Sequence, residues 1–138
     1  MKNEFVTYNQ ALALKELGFD EKCLAYWFNE TPLNPEGQCL VYYRKPYDNV
    51  GITNGIIREY GWAPLYQQAF RWFRELGFDS SIYRARTKTK IYCWSISNLL
   101  SGLEYPPSMI GERADSYEEA ELACLKKLIE IVKEKNNE

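Results

Sequence analysis

The chain has 138 residues, a length that predicts a single domain, residues 1–138, with a core that needs no disulfide or metal staples. Aromatic residues make up 15% of the chain, which excludes an intrinsically disordered protein. The formal net charge of −2 excludes a surface that is basic throughout, so any nucleic-acid contact must be local.

The first predicted helix begins at a capping box. Thr7 and Gln10 have the Thr-x-x-Gln spacing, in which each side chain accepts a hydrogen bond from the backbone of the other residue. The apolar positions that follow recur with helical spacing as far as about Leu17. Gly18 then predicts the end of the helix, because glycine takes the left-handed conformation at little cost.

A β-hairpin is predicted next. Residues 23–28 and 39–43 are short apolar and aromatic runs typical of strands, and residues 29–38 hold the prolines and glycine of a loop. Residues 47–62 are rich in glycine but contain three isoleucines, so we interpret them as a structured loop with a short strand or helical turn. Such a stretch is either a surface excursion or a place for a binding site.

The strongest helix signal runs from Pro64 to Phe78. Pro64 suits the first helical position, and Gly77 followed by Phe78 is typical of a helix end. One face collects the apolar residues Leu65, Ala69, Trp72, Phe73 and Leu76. We interpret this face as core; the alternative is an exposed aromatic groove for a partner.

Two further strands are predicted at Ile82–Arg86 and Thr89–Ile96, with a turn near Thr87. Asn98–Arg113 contains two glycines and two prolines and is interpreted as a second long loop.

The last predicted helix begins at a second capping box, Ser116 with Glu119, and reaches about Lys133. Its apolar face comprises Ala120, Cys124, Leu128, Ile131 and Val132, widened by Leu125 and Ile129. Residues 134–138 are expected to fray.

These elements predict an α+β fold in the order α-β-β-α-β-β-α. Because the strands come as hairpins, we expect one four-stranded antiparallel sheet with three helices packed on one face. The sequence Glu-Leu-Gly-Phe-Asp occurs twice, at Glu16–Asp20 and at Glu75–Asp79. The repeat indicates either an internal duplication of a helix–stop–strand unit or one good helix ending used twice.

No catalytic or metal motif is present. The four cysteines lie at Cys23, Cys39, Cys93 and Cys124, none in a Cys-x-x-Cys pair, and histidine is absent, so we expect buried thiols rather than a metal site. Phosphate-binding glycine loops and nucleophile elbows are also missing. We therefore expect a non-enzymatic protein without a cofactor, although an enzyme that uses Asp, Glu, Tyr or Lys stays as a third hypothesis.

One local charge anomaly marks a candidate binding site. No acid lies between Ser80 and Leu103, while the hairpin 82–94 carries Arg84, Arg86, Lys88 and Lys90 interleaved with Tyr83 and Tyr92. Basic groups for phosphate beside rings for stacking are what single-stranded nucleic acids require. The alternative is a solvated hairpin whose charges face water and protect a strand edge.

Three stretches together support a family resemblance: Tyr8–Asp20, Ala63–Glu75 and Tyr117–Lys133. They resemble a group of small uncharacterised proteins carried by phages, prophages and mobile elements of gut bacteria. The resemblance implies a cytoplasmic accessory protein made in a bacterial host, and it brings no functional residues.

Two functions from different classes are therefore expected. The first is binding to a host or phage protein, including modulation of host defence, through an exposed apolar patch. The second is binding of nucleic acid or a nucleotide through the basic hairpin. The N-terminus has no apolar signal core, and no apolar run reaches the length of a membrane span, so we expect a cytoplasmic protein with no membrane contact.

Overall fold

The computed structural model of the chain describes residues 4–29, 38–42, 52–53, 56–57, 59–85, 91–105 and 112–137. The chain divides into two compact units, Met1–Leu65 and Tyr66–Glu138. Each unit has its own helices and antiparallel strands, and each is described below by itself.

The described residues of the first unit form one helix and five short strands: α1 (Tyr8–Glu16), β1 (Ala25–Asn29), β2 (Gln38–Tyr42), β3 (Ile52–Thr53), β4 (Ile56–Ile57) and β5 (Glu59–Trp62). The strand β1 is central in a three-stranded antiparallel sheet of order β2-β1-β5, and β3 and β4 form a separate pair. The predicted hairpin at 23–28 and 39–43 is therefore confirmed, shifted by one or two residues.

The helix α1 is held at both ends by the hydrogen bonds that its sequence predicts. The Thr7 hydroxyl accepts from the Gln10 N–H, and the Gln10 amide oxygen accepts from the Thr7 N–H, each at 3.3 Å. At the other end Gly18 has a φ of 100°, and the Phe19 N–H donates to the Leu14 carbonyl at 3.0 Å. This is a Schellman ending, and it buries the Phe19 ring.

The core of the first unit forms where α1 lies against β5. A Cβ added to Gly61 would lie 3.3 Å from the Ala11 carbonyl oxygen, a tight contact, so the helix lies close to the strand at this glycine. The buried Trp27 indole N–H donates to the Val6 carbonyl at 2.8 Å, and the Tyr8 ring packs edge-on against Trp27. These contacts join the N-terminal segment and α1 to the sheet.

In the second unit the part of the chain that the structure describes forms two helices and four strands: α2 (Tyr66–Glu75), β6 (Phe78–Arg84), β7 (Tyr92–Asn98), β8 (Glu104–Tyr105), β9 (Glu112–Ala114) and α3 (Tyr117–Asn136). The strand β6 pairs with the whole length of β7. Two shorter strands share the other edge of β7, with β8 opposite Ile96 and Ser97 and β9 opposite Tyr92–Trp94.

The buried face of α2 is close to the predicted one. Ala69 and Phe73 are fully buried, Trp72 is half-buried, and Leu76 is exposed at the helix end. The helix begins at Tyr66 rather than at Pro64, because the Pro64 carbonyl accepts a hydrogen bond from the Val6 N–H and the chain there is still extended.

The helix α3 buries every residue of its predicted face except the widening residue Ile129, which is half-buried. Its start differs in one bond from the predicted capping box. The Ser116 hydroxyl accepts from the Glu119 N–H as expected, but the Glu119 carboxylate accepts from the Asp115 N–H, one residue before the cap. The helix continues to Asn136, into the segment that was expected to fray.

The α+β class and the three helices are confirmed, but the single four-stranded sheet is wrong. The two predicted hairpins lie in separate sheets, because each recruits further strands from a segment interpreted as a loop. In the first unit β5, from residues 47–62, occupies the free edge of β1. In the second, β8 and β9, from Asn98–Arg113 and the residue after it, occupy the free edge of β7.

The repeated Glu-Leu-Gly-Phe-Asp stretches end α1 and α2 in the same way, with φ of 100° at Gly18 and 99° at Gly77. The sheets that follow differ. The first strand after α1 is central in its sheet, whereas the first strand after α2 is at an edge. This difference favours one helix ending used twice over an internal duplication. Whether both units unfold as the single domain 1–138 stays a prediction.

Candidate binding surface

The predicted basic hairpin is an antiparallel pair whose register places three of its six candidate residues. Arg84 lies directly opposite Tyr92, and Tyr83 lies opposite Cys93. Residues directly opposite one another share a face, and successive residues of a strand alternate between faces. Arg84 and Tyr92 are therefore on one face of the sheet and Tyr83 is on the other.

The two tyrosines of the predicted site differ in solvent exposure. Tyr83 is exposed, whereas Tyr92 is half-buried and its ring meets Tyr117 of α3 edge-on at a centroid distance of 5.8 Å. The Tyr117 ring therefore covers part of the sheet face on which Tyr92 lies. Arg86, Lys88 and Lys90 lie outside the described residues. Of the predicted site, the structure brings together Arg84 and Tyr92 and separates both from Tyr83.

A second surface lies at the opposite end of the same sheet, in the turn between β7 and β8. We call residues 98–103 the leucine turn. The Asn98 side-chain oxygen accepts hydrogen bonds from the N–H groups of Leu100 (3.0 Å) and Ser101 (3.3 Å). The Asn98 carbonyl accepts from the Gly102 N–H at 2.8 Å, and the Asn98 N–H donates to the Leu103 carbonyl at 2.8 Å. The side chain and the backbone of Asn98 thus hold the turn together from within.

The leucine turn is also tied to the end of α2. The Leu99 N–H donates to the Gly77 carbonyl at 2.8 Å, and two side-chain atoms of Leu100 lie 3.5 Å from where a Cβ on Gly77 would sit. The turn therefore rests on the glycine that ends α2, beside Leu76.

The fixed backbone presents apolar side chains to solvent. Leu99, Leu100 and Leu103 are 61%, 81% and 57% exposed, and Leu76 is 40% exposed. These four are half of the eight large apolar side chains that are exposed among the described residues. Isolated surface leucines are ordinary, but a cluster on a rigid turn is typical of a contact site.

Sequence reasoning missed this surface because it treated Asn98–Arg113 as one long loop. A usable signal was present. Asn98 ends a strand pattern, Gly102 follows four residues later, and three leucines lie between and beside them. Asparagine at the start of a turn caps the backbone that follows, which predicts an ordered turn rather than a loose one.

Two buried ionisable side chains of the second unit have raised pKa values. Burial raises the pKa of the Cys124 thiol to about 12, against a smaller lowering from its hydrogen bond with Ser80. Burial, reinforced by Glu121, likewise raises the pKa of Tyr66 to about 12. A fully buried thiol that stays protonated is a poor nucleophile, so Cys124 serves the core.

Comparison of the chain with protein-family models, with curated proteins and with solved structures gives no match. No helix in the described part of the chain is both long and apolar enough to cross a bilayer. The described cysteines and carboxylates likewise form no group of three or more that is placed to hold a metal ion.

Proposed function

We propose that this chain is a non-enzymatic accessory protein of phage type that binds a host or phage protein in the bacterial cytoplasm, with modulation of host defence as one role. The contact surface is the leucine turn together with Leu76. The observation that carries the proposal is the 81% exposure of Leu100 on a backbone fixed by Asn98. The setting is inferred from the resemblance of the sequence to phage and prophage proteins, and it stays a prediction.

A pre-organised turn is suited to binding because its ordering cost is met before the partner arrives. Each leucine that becomes fully buried contributes about 1.5–3 kcal/mol. The three turn leucines together expose roughly two whole side chains, so their burial supplies about 3–6 kcal/mol. This is enough to anchor a contact in an apolar pocket of a partner protein, whereas a permanent dimer buries more than about 2,000 Å2 in total.

The test is a matched pair of substitutions. Leu100→Asp places a charge on the turn, and Leu24→Asp places the same charge on a leucine of the first unit that is also exposed, at 58%. Proteins captured from a bacterial lysate by the natural chain are purified, and their direct affinity is measured by calorimetry. Leu100→Asp is expected to raise Kd by about tenfold to a hundredfold, from the loss of one buried leucine. Leu24→Asp is expected to leave Kd unchanged.

Loss of the turn's rigidity gives a second readout. Asn98→Ala keeps every leucine but removes the oxygen that caps Leu100 and Ser101. We expect weaker binding from the added ordering cost. Equal affinity for the natural chain, Leu100→Asp and Asn98→Ala would exclude the leucine turn as the contact.

The second candidate function is nucleic-acid or nucleotide binding through the hairpin 82–94. It is favoured by Arg84, which is exposed directly across from Tyr92. The same preparations are titrated with single-stranded DNA at low and high salt, alongside a variant with Arg84, Arg86, Lys88 and Lys90 all changed to Ala. Salt-sensitive binding that this variant loses would support the second function. Binding that it keeps would remove the hairpin from consideration.

A further inference from the structure

The strand β6 has one edge without a strand partner in the described part of the chain. It pairs with β7 along seven residues, and no other described strand lies beside it. Four of its residues, Asp79, Ser81, Tyr83 and Arg84, have exposed side chains. Natural sheets usually protect such an edge with lysine, proline, a bulge or a very short strand. From Phe78 to Tyr83 this strand carries only one charge, Asp79.

The register determines which backbone groups face outward. The Leu99 N–H donates to the Gly77 carbonyl and the Ala85 N–H donates to the Ile91 carbonyl, each at 2.8 Å. In an antiparallel pair, alternate residues form these bonds. Between Gly77 and Ala85, the odd-numbered residues therefore bond to β7. The N–H and C=O groups of Ser80, Ile82 and Arg84 point away from it, and no described backbone group bonds to them.

One face of β6 has a cation near each of its ends. Arg84 is exposed at one end of β6. At the other end the Lys135 ammonium lies 5.7 Å from the centre of the Phe78 ring, on the sheet face that Phe78 shares with Arg84. The acid of the strand, Asp79, is on the opposite face, with its carboxylate 3.8 Å from Arg74. A cation thus stands at each end of one face, about 20 Å apart at the rise of a strand.

We propose that the free edge of β6 takes an extended segment of a partner protein as an added strand, and that this segment carries a carboxylate at each end of a seven-residue stretch. The outward N–H and C=O groups of Ser80, Ile82 and Arg84 supply the main-chain hydrogen bonds. Arg84 and Lys135 select the two acids. The inference deepens the proposed protein-binding function, on which it rests for the class of partner, but it uses a different surface from the leucine turn.

A second copy of this chain fits the edge less well. If two β6 strands paired antiparallel over their full length, Arg84 of each copy would come opposite Phe78 of the other. Lys135 already lies over that ring, so two cations would meet at each end. Like charges directly opposite one another across strands are destabilising. An acidic segment, in contrast, is attracted by the cation at each end of the strand.

The experiment uses the whole protein and a fluorescent peptide with the core Asp-Thr-Val-Thr-Val-Thr-Asp. Anisotropy measures its affinity, and amide hydrogen exchange measures protection of individual N–H groups. We expect binding that slows exchange at Ser80, Ile82 and Arg84. Methylation of the peptide nitrogens at alternate positions is expected to abolish binding for one set of positions and spare it for the other, because an added strand uses every second N–H.

Charge reversal tests the choice of occupant. We expect a peptide with lysine at both ends to bind at least tenfold less tightly than the acidic one. Arg84→Glu should remove this preference, because Lys135 then stays as the single cation and each peptide meets one attraction and one repulsion. The acidic peptide should bind Leu100→Asp as well as it binds the natural chain. That result separates the edge from the leucine turn, so failure of either proposal can be recognised alone.

Four outcomes would overturn the inference. One is no binding at millimolar peptide. Another is binding that both sets of methylated peptides retain. A third is protection of Ser80 and Ile82 that grows with protein concentration without peptide, which would assign the edge to a second copy. The last is displacement of the peptide by single-stranded DNA at equal charge concentration, which would assign the cations to nucleic acid.

Discussion

Single residues set the local geometry of this chain most clearly at its glycines. Gly18 and Gly77 both adopt φ near +100° and stop the two short helices. Gly61 has a different role, because it allows α1 to approach β5 at the Ala11 carbonyl. The first role is visible in the sequence, since Leu-Gly-Phe after an amphipathic run is a helix-stop pattern. The second is not, because it depends on which helix crosses which strand.

We expect Gly18→Ala to destabilise the protein by about 1–2 kcal/mol, the cost of holding a residue with a Cβ in the left-handed region. No atom lies within 4 Å of the added methyl group, so the effect is conformational and not steric. Urea unfolding should show a lower midpoint with an unchanged slope. Gly18→Asn is the matched control and should cost less, because asparagine tolerates this conformation. A fully stable Gly18→Ala protein would contradict this account.

At the scale of elements, packing of the helices on the second sheet decides which ionisable groups lose water. Cys124 of α3 bonds to Ser80 of β6, and Tyr66 at the start of α2 is buried near Glu121. The apolar face of α3 was predictable from helical spacing alone. The pairing of Cys124 with Ser80 was not, because it depends on the angle at which the helix crosses the strand.

We expect stability to fall as pH rises from about 9 to about 12. The ordinary pKa values are 9.0 for cysteine and 10.0 for tyrosine, and in the fold both Cys124 and Tyr66 have a pKa of about 12. The folded state therefore holds these protons over a range where the unfolded chain releases them. The stabilisation is complete below pH 9 and is lost as pH approaches 12.

A tenfold change in proton affinity corresponds to about 1.4 kcal/mol. The free energy of unfolding should therefore fall by a few kcal/mol over this pH range. The free energy of unfolding in urea, measured from pH 7 to pH 11.5, checks this. Tyr66→Phe removes one of these ionisations and should show a shallower fall. Identical profiles for the two proteins would mean that Tyr66 does not keep its proton.

At the scale of the whole molecule, two compact units stand where the sequence predicts one domain. The first unit spans only 65 residues, near the lower limit at which a chain buries enough surface to be stable alone.

We therefore expect both units to unfold in one step, with equal calorimetric and van't Hoff enthalpies. Gly61→Ala, whose added Cβ meets Ala11 of the first unit, should shift the single midpoint for the whole protein. Two resolved transitions in calorimetry, only one of them shifted by Gly61→Ala, would contradict the single-domain prediction.

Of the candidate surfaces, one was visible in the sequence and two were revealed only by the structure. The hairpin 82–94 was predicted from its composition, because a run of cations without acids is visible in the amino-acid sequence. That Tyr83 and Arg84 lie on opposite faces follows from strand alternation, but the place of Tyr92 beside Arg84 followed only from the register. The leucine turn and the free edge of β6 were missed, since exposure of Leu100 and the lack of a neighbouring strand belong to the assembled sheet.

The sequence by itself determined the three helices, their inward faces, the two hairpins and the α+β class. Spacing, caps and turn residues act over a few positions along the chain, so they can be read there. The tertiary structure alone decided that the hairpins belong to two sheets and which strand edges stay open. Strands as short as β5, β8 and β9 are hard to recognise in a sequence, and they form because a neighbouring strand offers them hydrogen bonds.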